Sequence, residues 1–216
     1  MEIRWLGQSC FEIKNKVLAV VTDPYSEKIG FKLPKLKANI VTVSHDHYDH
    51  DNVDAIEGVS AEKKPFIVNN PGGYEVQGVL IEGISTFHDA QEGKERGLNT
   101  VYDIKMDGIN ICHLGDLGTD LKEEQIEMLD GVDILFIPVG GKYTIDAEHA
   151  VKIINKIEPR IIIPMHYSIP GLKEEIDGID KFTKELGMDA ETLDILKLEK
   201  KDLPQEGMQL VILNKS

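Results

Sequence analysis

Three imidazoles and a carboxylate fall within six residues in the stretch Ser44-His45-Asp46-His47-Tyr48-Asp49-His50. His45 and His47, at i and i+2, share one face of an extended segment, and Asp49 and His50 turn toward a second position nearby. Those residue types at that spacing offer ligands to two adjacent divalent metal ions. A nitrogen-rich set with a carboxylate suits Zn²⁺ first and accepts Mn²⁺ or Fe²⁺, because imidazole ligates all three. Asp46 and Asp51 are read as lying outside the ligand set, with Asp51 capping a short helix that begins near Asn52.

Such a cluster needs rigid elements to hold it. Strand-length apolar runs recur at 17–22, 40–43, 66–68, 79–84, 101–106, 109–112, 134–137, 160–163 and 210–213. Asp107-Gly108 separates two of them and predicts a hairpin. Helical spacing appears at 121–129, 147–157 and 179–186, the second preceded by Asp146 as an N-cap. Helices interleaved with strands in the second half predict sheets covered by helices, in either a doubly wound or a sandwich arrangement. Several strand runs lead directly into chemically active residues: Asp23, Ser44 and His45, His88, His113 and Asp116, and His166. Strands whose ends share one edge would bring these loops to a single cleft. No repeat or linker interrupts the chain, which reads as a single domain over residues 1–216.

An apolar fraction of 41% with 29% charged residues is that of a globular chain able to bury a core. The 24 basic and 38 acidic residues give a net charge of -14, which repels polyanions and argues against nucleic acid as a partner. Cys10 and Cys112 are far apart, with no disulfide or zinc-knuckle spacing, so free thiols in a reducing, cytoplasmic setting are expected. The apolar run at 17–21 is too short for a signal-peptide core. Nothing approaches the roughly 20 residues of a membrane span, so no membrane association is expected. No oligomer interface is legible in the chain.

The pattern His45-x-His47-x-Asp49-His50 resembles the signature of the metallo-β-lactamase superfamily, and the likeness extends along nearly the whole chain. Arg4-Trp5-Leu6-Gly7-Gln8-Ser9-Cys10-Phe11, Thr22-Asp23-Pro24, Gly115-Asp116, Pro138-Val139-Gly140-Gly141 and Pro164-Met165-His166-Tyr167 resemble its ascorbate-phosphate lactonase-like branch of metal-dependent hydrolases. The resemblance implies an α/β fold, a four-layered αββα sandwich of two mixed β-sheets flanked by helices. It also implies His45, His47 and His88 on one ion, Asp49, His50 and His166 on the other, and Asp116 bridging. His113 competes with His88 for the third place on the first ion; His88 is preferred, leaving His113 beside the ligands or facing substrate. Asp23 matches a carboxylate that orients a ligand imidazole. His149, within a helix, is read as a surface residue. Where relatives of this branch carry Gly-His this chain has Gly7-Gln8, so a substrate contact made by that imidazole is not carried over.

Two ions about 3.5 to 4 Å apart can hold a bridging hydroxide and polarise the oxygen it attacks, so no serine or cysteine nucleophile is required. The expected function is a dinuclear hydrolase acting on an ester, phosphodiester or lactone bond of a small molecule, phosphorylated or lactone-type. The expected catalytic set is Asp116, holding both ions and helping to deprotonate water, Asp49, orienting it, and His113. His113, Lys142 or Tyr143 would protonate the leaving group or bind a substrate anion, and Arg96 is a further anion contact. The scaffold also hosts other chemistries. A di-iron oxidoreductase is one alternative, although its branch replaces the second motif histidine by Glu, where His47 stands here. A nucleic-acid phosphodiesterase and a metal-binding module without turnover are the others.

Overall fold

The computed structural model describes residues 1–60 and 62–216. Its strands are β1 (Glu2–Gly7), β2 (Cys10–Lys14), β3 (Ala19–Thr22), β4 (Leu36–Ala38), β5 (Ile40–Thr42), β6 (Ile56–Gly58), β7 (Phe66–Val68) and β8 (Gly72–Val76). They continue as β9 (Val79–Phe87), β10 (Leu98–Met106), β11 (Ile109–His113), β12 (Ile134–Pro138), β13 (Ile161–Met165), β14 (Ala190–Leu193), β15 (Leu196–Lys197) and β16 (Gln209–Leu213). The helices are α1 (Glu123–Met128), α2 (Ala147–Ile157) and α3 (Ile179–Leu186). Among the described residues no helix is long and apolar enough to cross a membrane.

Two mixed sheets form the body. One has six strands in the order β15-β1-β2-β3-β5-β7, the other eight in the order β14-β16-β13-β12-β11-β10-β9-β8. Alternation along the strands separates the layers: Val20 and Ile40 point into the core between the sheets, and their neighbours Val21 and Val41 into a second core on the outer face. The parallel strands β12 and β13 are buried along their whole length, as strands covered on both faces must be, and accordingly read Ile-Leu-Phe-Ile-Pro and Ile-Ile-Ile-Pro-Met. Ala150, Ile153 and Ile154 of α2 and Phe182 of α3 join the same core and cover the eight-stranded sheet. The Asp146 carboxylate accepts the His149 N–H as the predicted N-cap of α2.

The four-layered sandwich implied by the resemblance is present, with one thin outer layer. Over the six-stranded sheet lie single 3-10 turns at Glu27–Ile29 and Val53–Ala55 and the two-stranded ribbon β4-β6. Pro24, Gly30 and Pro34 interrupt that stretch too often for an α-helix. The expected Asp51 cap is corrected here: Asn52 holds the N-cap position of the second 3-10 turn with no side-chain hydrogen bond, and Asp51 contributes its carbonyl to the Val53 N–H at 2.7 Å. Strands β1 and β2 escaped the apolar-run criterion because Arg4 and Glu12 face each other across them, paired at 2.6 Å. The Asp107-Gly108 turn joins β10 to β11 as predicted, both residues at positive φ (53° and 74°), the requirement of the tight mirror-image turn.

The sheets are fastened where Phe11 of β2 stacks on Phe136 of β12, ring centroids 4.0 Å apart and planes 13° from parallel. Both rings are fully buried. Phe136→Ala is expected to lower the unfolding free energy by about 3 to 5 kcal/mol in urea titration. A loss below about 1 kcal/mol would show that the stack contributes little to joining the sheets.

Candidate metal centre

Because β9, β11 and β13 run in one direction, their C-terminal ends share one edge of the eight-stranded sheet. They deliver His88, Asp116 and His166 there. The parallel strands β3 and β5 end at the facing edge of the other sheet and deliver Asp23 and the 44–50 segment. Gly115 lets the turn after β11 close. Its φ is 56°, and a Cβ there would stand 2.4 Å from Asn99 Oδ1 and 2.6 Å from Ser44 Cβ.

The side chains converge in two groups. His45, His47 and His88 bring one ligand atom each to within 4.8 Å of one another, and Asp49, His50, Asp116 and His166 do the same. Asp116 Oδ2 stands between the groups, 3.6 Å from His88 Nε2, 3.2 Å from His50 Nε2 and 3.2 Å from His166 Nε2. Its other oxygen accepts the Ser9 hydroxyl at 3.2 Å, and its N–H donates to Asn99 Oδ1 at 2.9 Å.

Behind the ligands lies a carboxylate that fixes ring orientation. Asp23 accepts the Ser44 N–H at 2.8 Å, the Ser44 hydroxyl at 2.6 Å and the His50 Nδ1–H at 2.9 Å. His45 Nδ1–H in turn donates to Ser44 Oγ at 2.9 Å. Both rings therefore turn their Nε2 atoms inward, where His45 Nε2 is buried without a hydrogen-bond partner and His50 Nε2 faces Asp116 Oδ2 at 3.2 Å. Buried nitrogens left in that state are costly unless something electrophilic takes them. A nitrogen-rich donor set of this composition fits divalent metal ions.

Residues 2–166 match the family model of the β-lactamase superfamily domain. The structure is similar to that of a candidate Zn-dependent hydrolase of the metallo-β-lactamase superfamily from Thermotoga maritima, with a TM-score of 0.80, 34% identity and 98% of each chain covered. The chain belongs to the metallo-β-lactamase superfamily. Relatives include a UPF0173 metal-dependent hydrolase of Thermoplasma volcanium, 33% identical over 78% of this chain and 84% of that one. Another, from Archaeoglobus fulgidus, is 27% identical over 91% of this chain and 96% of its own length.

In this metallo-β-lactamase-type site the residues expected from the sequence are largely brought together. His88, not His113, stands with His45 and His47. The expectation that His113 acts on substrate is corrected. Its ring is fully buried, with Nε2 donating to the Ser9 carbonyl at 2.8 Å and Nδ1 accepting the Gly115 N–H at 3.2 Å. It stands edge-on to Phe11 and Phe136, so it braces the turn holding Ser9 and Gln8 and does not reach the cleft. Lys142 pairs with Glu175 at 3.7 Å and lines a neighbouring hollow. His149 is a half-buried surface residue of α2, bonded to Asp146 at 2.7 Å. Asp46 is exposed, as expected of a residue outside the ligand set.

A cleft of about 360 Å³ opens over the ligands, with Arg96 and Tyr143 in its wall together with Tyr48, Glu95 and Glu174. A larger groove of about 780 Å³ at the opposite sheet edge, lined by Lys14, Val17 and Asp107, holds no convergent ligand set among the described residues. Sequence reasoning missed the supporting roles of Ser9, Asn99, Asp89 and Glu174. Ser44 sat within the motif without a role, and its hydroxyl next to a ligand histidine was the one usable signal.

Burial opposes charge on every group in the centre, and the outcome depends on the neighbours. Burial pushes His45 down to about 2, helped by His50, and lowers His88. His50 is driven well above its ordinary value, Asp116 and Asp49 overcoming the burial, and His166 is raised by Asp116. Burial would raise Asp116, but His166 and His50 hold it well below the carboxylate range. In the metal-free centre Asp116 thus favours the protonated form of His50 and His166, and burial favours the neutral form of His45 and His88.

Metal loading is therefore expected to release protons from His50 and His166, read by calorimetry in buffers of different ionisation enthalpy. A release near zero would contradict this charge assignment. The raised values of His50 and His166 stabilise the metal-free fold below about pH 6.5, and that contribution is lost as pH rises through them. Above about pH 6.5 His45 and His88 are neutral both folded and unfolded, so His50 and His166 set the trend. Metal-free protein should unfold more easily at about pH 9 than at about pH 6.5, and loading should flatten the difference.

Proposed function

We propose that this metal-dependent hydrolase works through two divalent ions, Zn²⁺ first, and cuts an ester, phosphodiester or lactone bond of a small molecule. The observation that carries the reading is the placement of Asp116 Oδ2 between the two ligand groups, 3.6 Å from His88 Nε2 and 3.2 Å from both His50 Nε2 and His166 Nε2. A carboxylate in that position can serve two ions at once. His45, His47 and His88 would hold one ion and Asp49, His50 and His166 the other. When bound, the ions supply Lewis acidity, polarising the scissile oxygen and lowering the pKa of water to near 7.

The chain's own groups do the positioning. Asp49, buried with one edge toward the cleft, is placed to accept a proton or hydrogen bond from attacking water. The Asp23–Ser44 pair keeps the His45 and His50 rings from turning. Of the three side chains expected to protonate the leaving group, Tyr143 is the one that lines the cleft. The cleft's volume suits a small molecule, and the acidic surface disfavours a polyanion. The Zn-dependent description of the Thermotoga maritima neighbour supports zinc as the first choice.

Elemental analysis of protein purified without added metal is expected to find about two Zn²⁺ or Mn²⁺ per chain. Turnover of bis-p-nitrophenyl phosphate or a simple lactone should fall at least about a hundredfold in His45→Ala and Asp116→Ala. Two irons with oxygen uptake would favour an oxidoreductase, and a chain that binds no metal even after reconstitution would overturn the proposal.

A further inference from the structure

The cleft above the ligands is electrically lopsided. Beside His88, Arg96 stacks its guanidinium on the Tyr143 ring, 5.1 Å from the centroid, and Lys142 Nζ lies 5.4 Å from the same ring. Beside His166, Glu174 accepts the Tyr48 hydroxyl and the Gln8 amide, each at 2.7 Å. Arg96, with Glu95 at 3.9 Å, and the carboxylate of Glu174 thus stand at different places around one small opening.

Arg96 is held in position yet underused. It pairs only with its own neighbour Glu95, at 3.9 Å, and among the described residues its one hydrogen bond as a donor is that of its backbone N–H to Asp89. In a chain of net charge -14, an arginine with free donors beside a candidate metal centre stands out against the acidic background. A guanidinium stacked on an aromatic ring keeps its planar fork free for an oxyanion, and part of the ordering cost is met before ligand arrives.

The backbone beneath Arg96 is equally prepared. The Asp89 carboxylate accepts N–H groups from Gln91 (2.8 Å), Gly93 (3.0 Å), Glu95 (3.0 Å) and Arg96 (2.8 Å). Gly97 N–H closes the loop onto the Gly93 carbonyl at 3.0 Å, and His88 N–H bonds the Gly97 carbonyl at 3.1 Å. The loop is thereby tied to the strand end that carries a candidate metal ligand.

We propose that Arg96, stacked on Tyr143 and set in place by Asp89, binds an anionic group of the substrate. The substrate then carries a carboxylate or phosphate apart from the bond being cut. Glu174 repels the same group, so the anion lies toward Tyr143 and the substrate enters in one orientation. The proposal rests on the hydrolase reading given above.

The test compares two p-nitrophenyl esters on the metal-loaded protein, the neutral acetate and the carboxylate-bearing monoglutarate. The wild-type chain is expected to prefer the glutarate ester, and the ratio of kcat/KM between the two to fall about tenfold in Arg96→Gln through KM, with partial recovery in Arg96→Lys. An unchanged ratio overturns the proposal. If neither ester is cut, that result counts against the hydrolase reading, and anion binding is measured without turnover. Inorganic phosphate or glutarate at about 10 mM should raise the Tm of the wild-type protein and not that of Arg96→Gln. Whichever gives the larger rise identifies the preferred anion; an equal rise in both proteins also overturns the proposal.

Discussion

The Asp23 carboxylate, buried beneath the cleft, takes the Ser44 amide, the Ser44 hydroxyl and the His50 ring N–H, and through Ser44 it reaches His45. A single anion thereby orients one imidazole from each ligand group. The ion itself is satisfied by three donors, which is what makes its burial tolerable. Because Asp23 closes β3 and Ser44 follows β5, the parallel pairing of those strands is converted directly into ring geometry. The two sheets, the packed aromatic pair between them and the turn braced by His113 all serve to keep that carboxylate and Asp116 facing each other's partners.

Rigidity here is bought with local strain. Gln8, Asp23 and His166 adopt positive φ (49°, 39° and 51°), a region that residues with side chains seldom visit. Each sits where a strand gives way to the site, and each is held by its surroundings. The Gln8 carbonyl receives both the Trp5 indole and the His166 N–H, at 2.8 and 3.1 Å. Trp5 stacks on Tyr167, the residue after His166, so the ligand and the turn opposite it are locked by one aromatic contact.

Four members of the ligand set were legible because they are nearly contiguous; His88, Asp116 and His166 stood out as polar residues after apolar strand ends, and their places in the set came from the family resemblance. The long apolar strands were legible from the same abrupt change, and all three helices from their helical apolar spacing. His113 was misread because it resembles His88 in sequence context. The difference is one step of the pleat: His88 lies beyond the last residue of β9, whereas His113 is still inside β11 and points between the sheets. The strands that alternate with charges, such as β1 and β2, depend on a cross-strand partner that no local pattern announces. Glu174 has partners 126 and 166 residues away, and Asp89 holds backbone amides instead of side chains, so neither leaves a local mark.

The loop after β9 owes its shape chiefly to the Asp89 side chain and to amide hydrogens that every non-proline residue possesses. Apart from Gly93, where a Cβ would stand 2.8 Å from the Gly97 carbonyl, its side chains are largely free of the task of holding it together. Such a segment can exchange its residues over evolutionary time while the ligand beside it stays still. The wall of the cleft on this side can therefore vary in side chains that carry little burden of folding while the candidate metal centre beside it is kept.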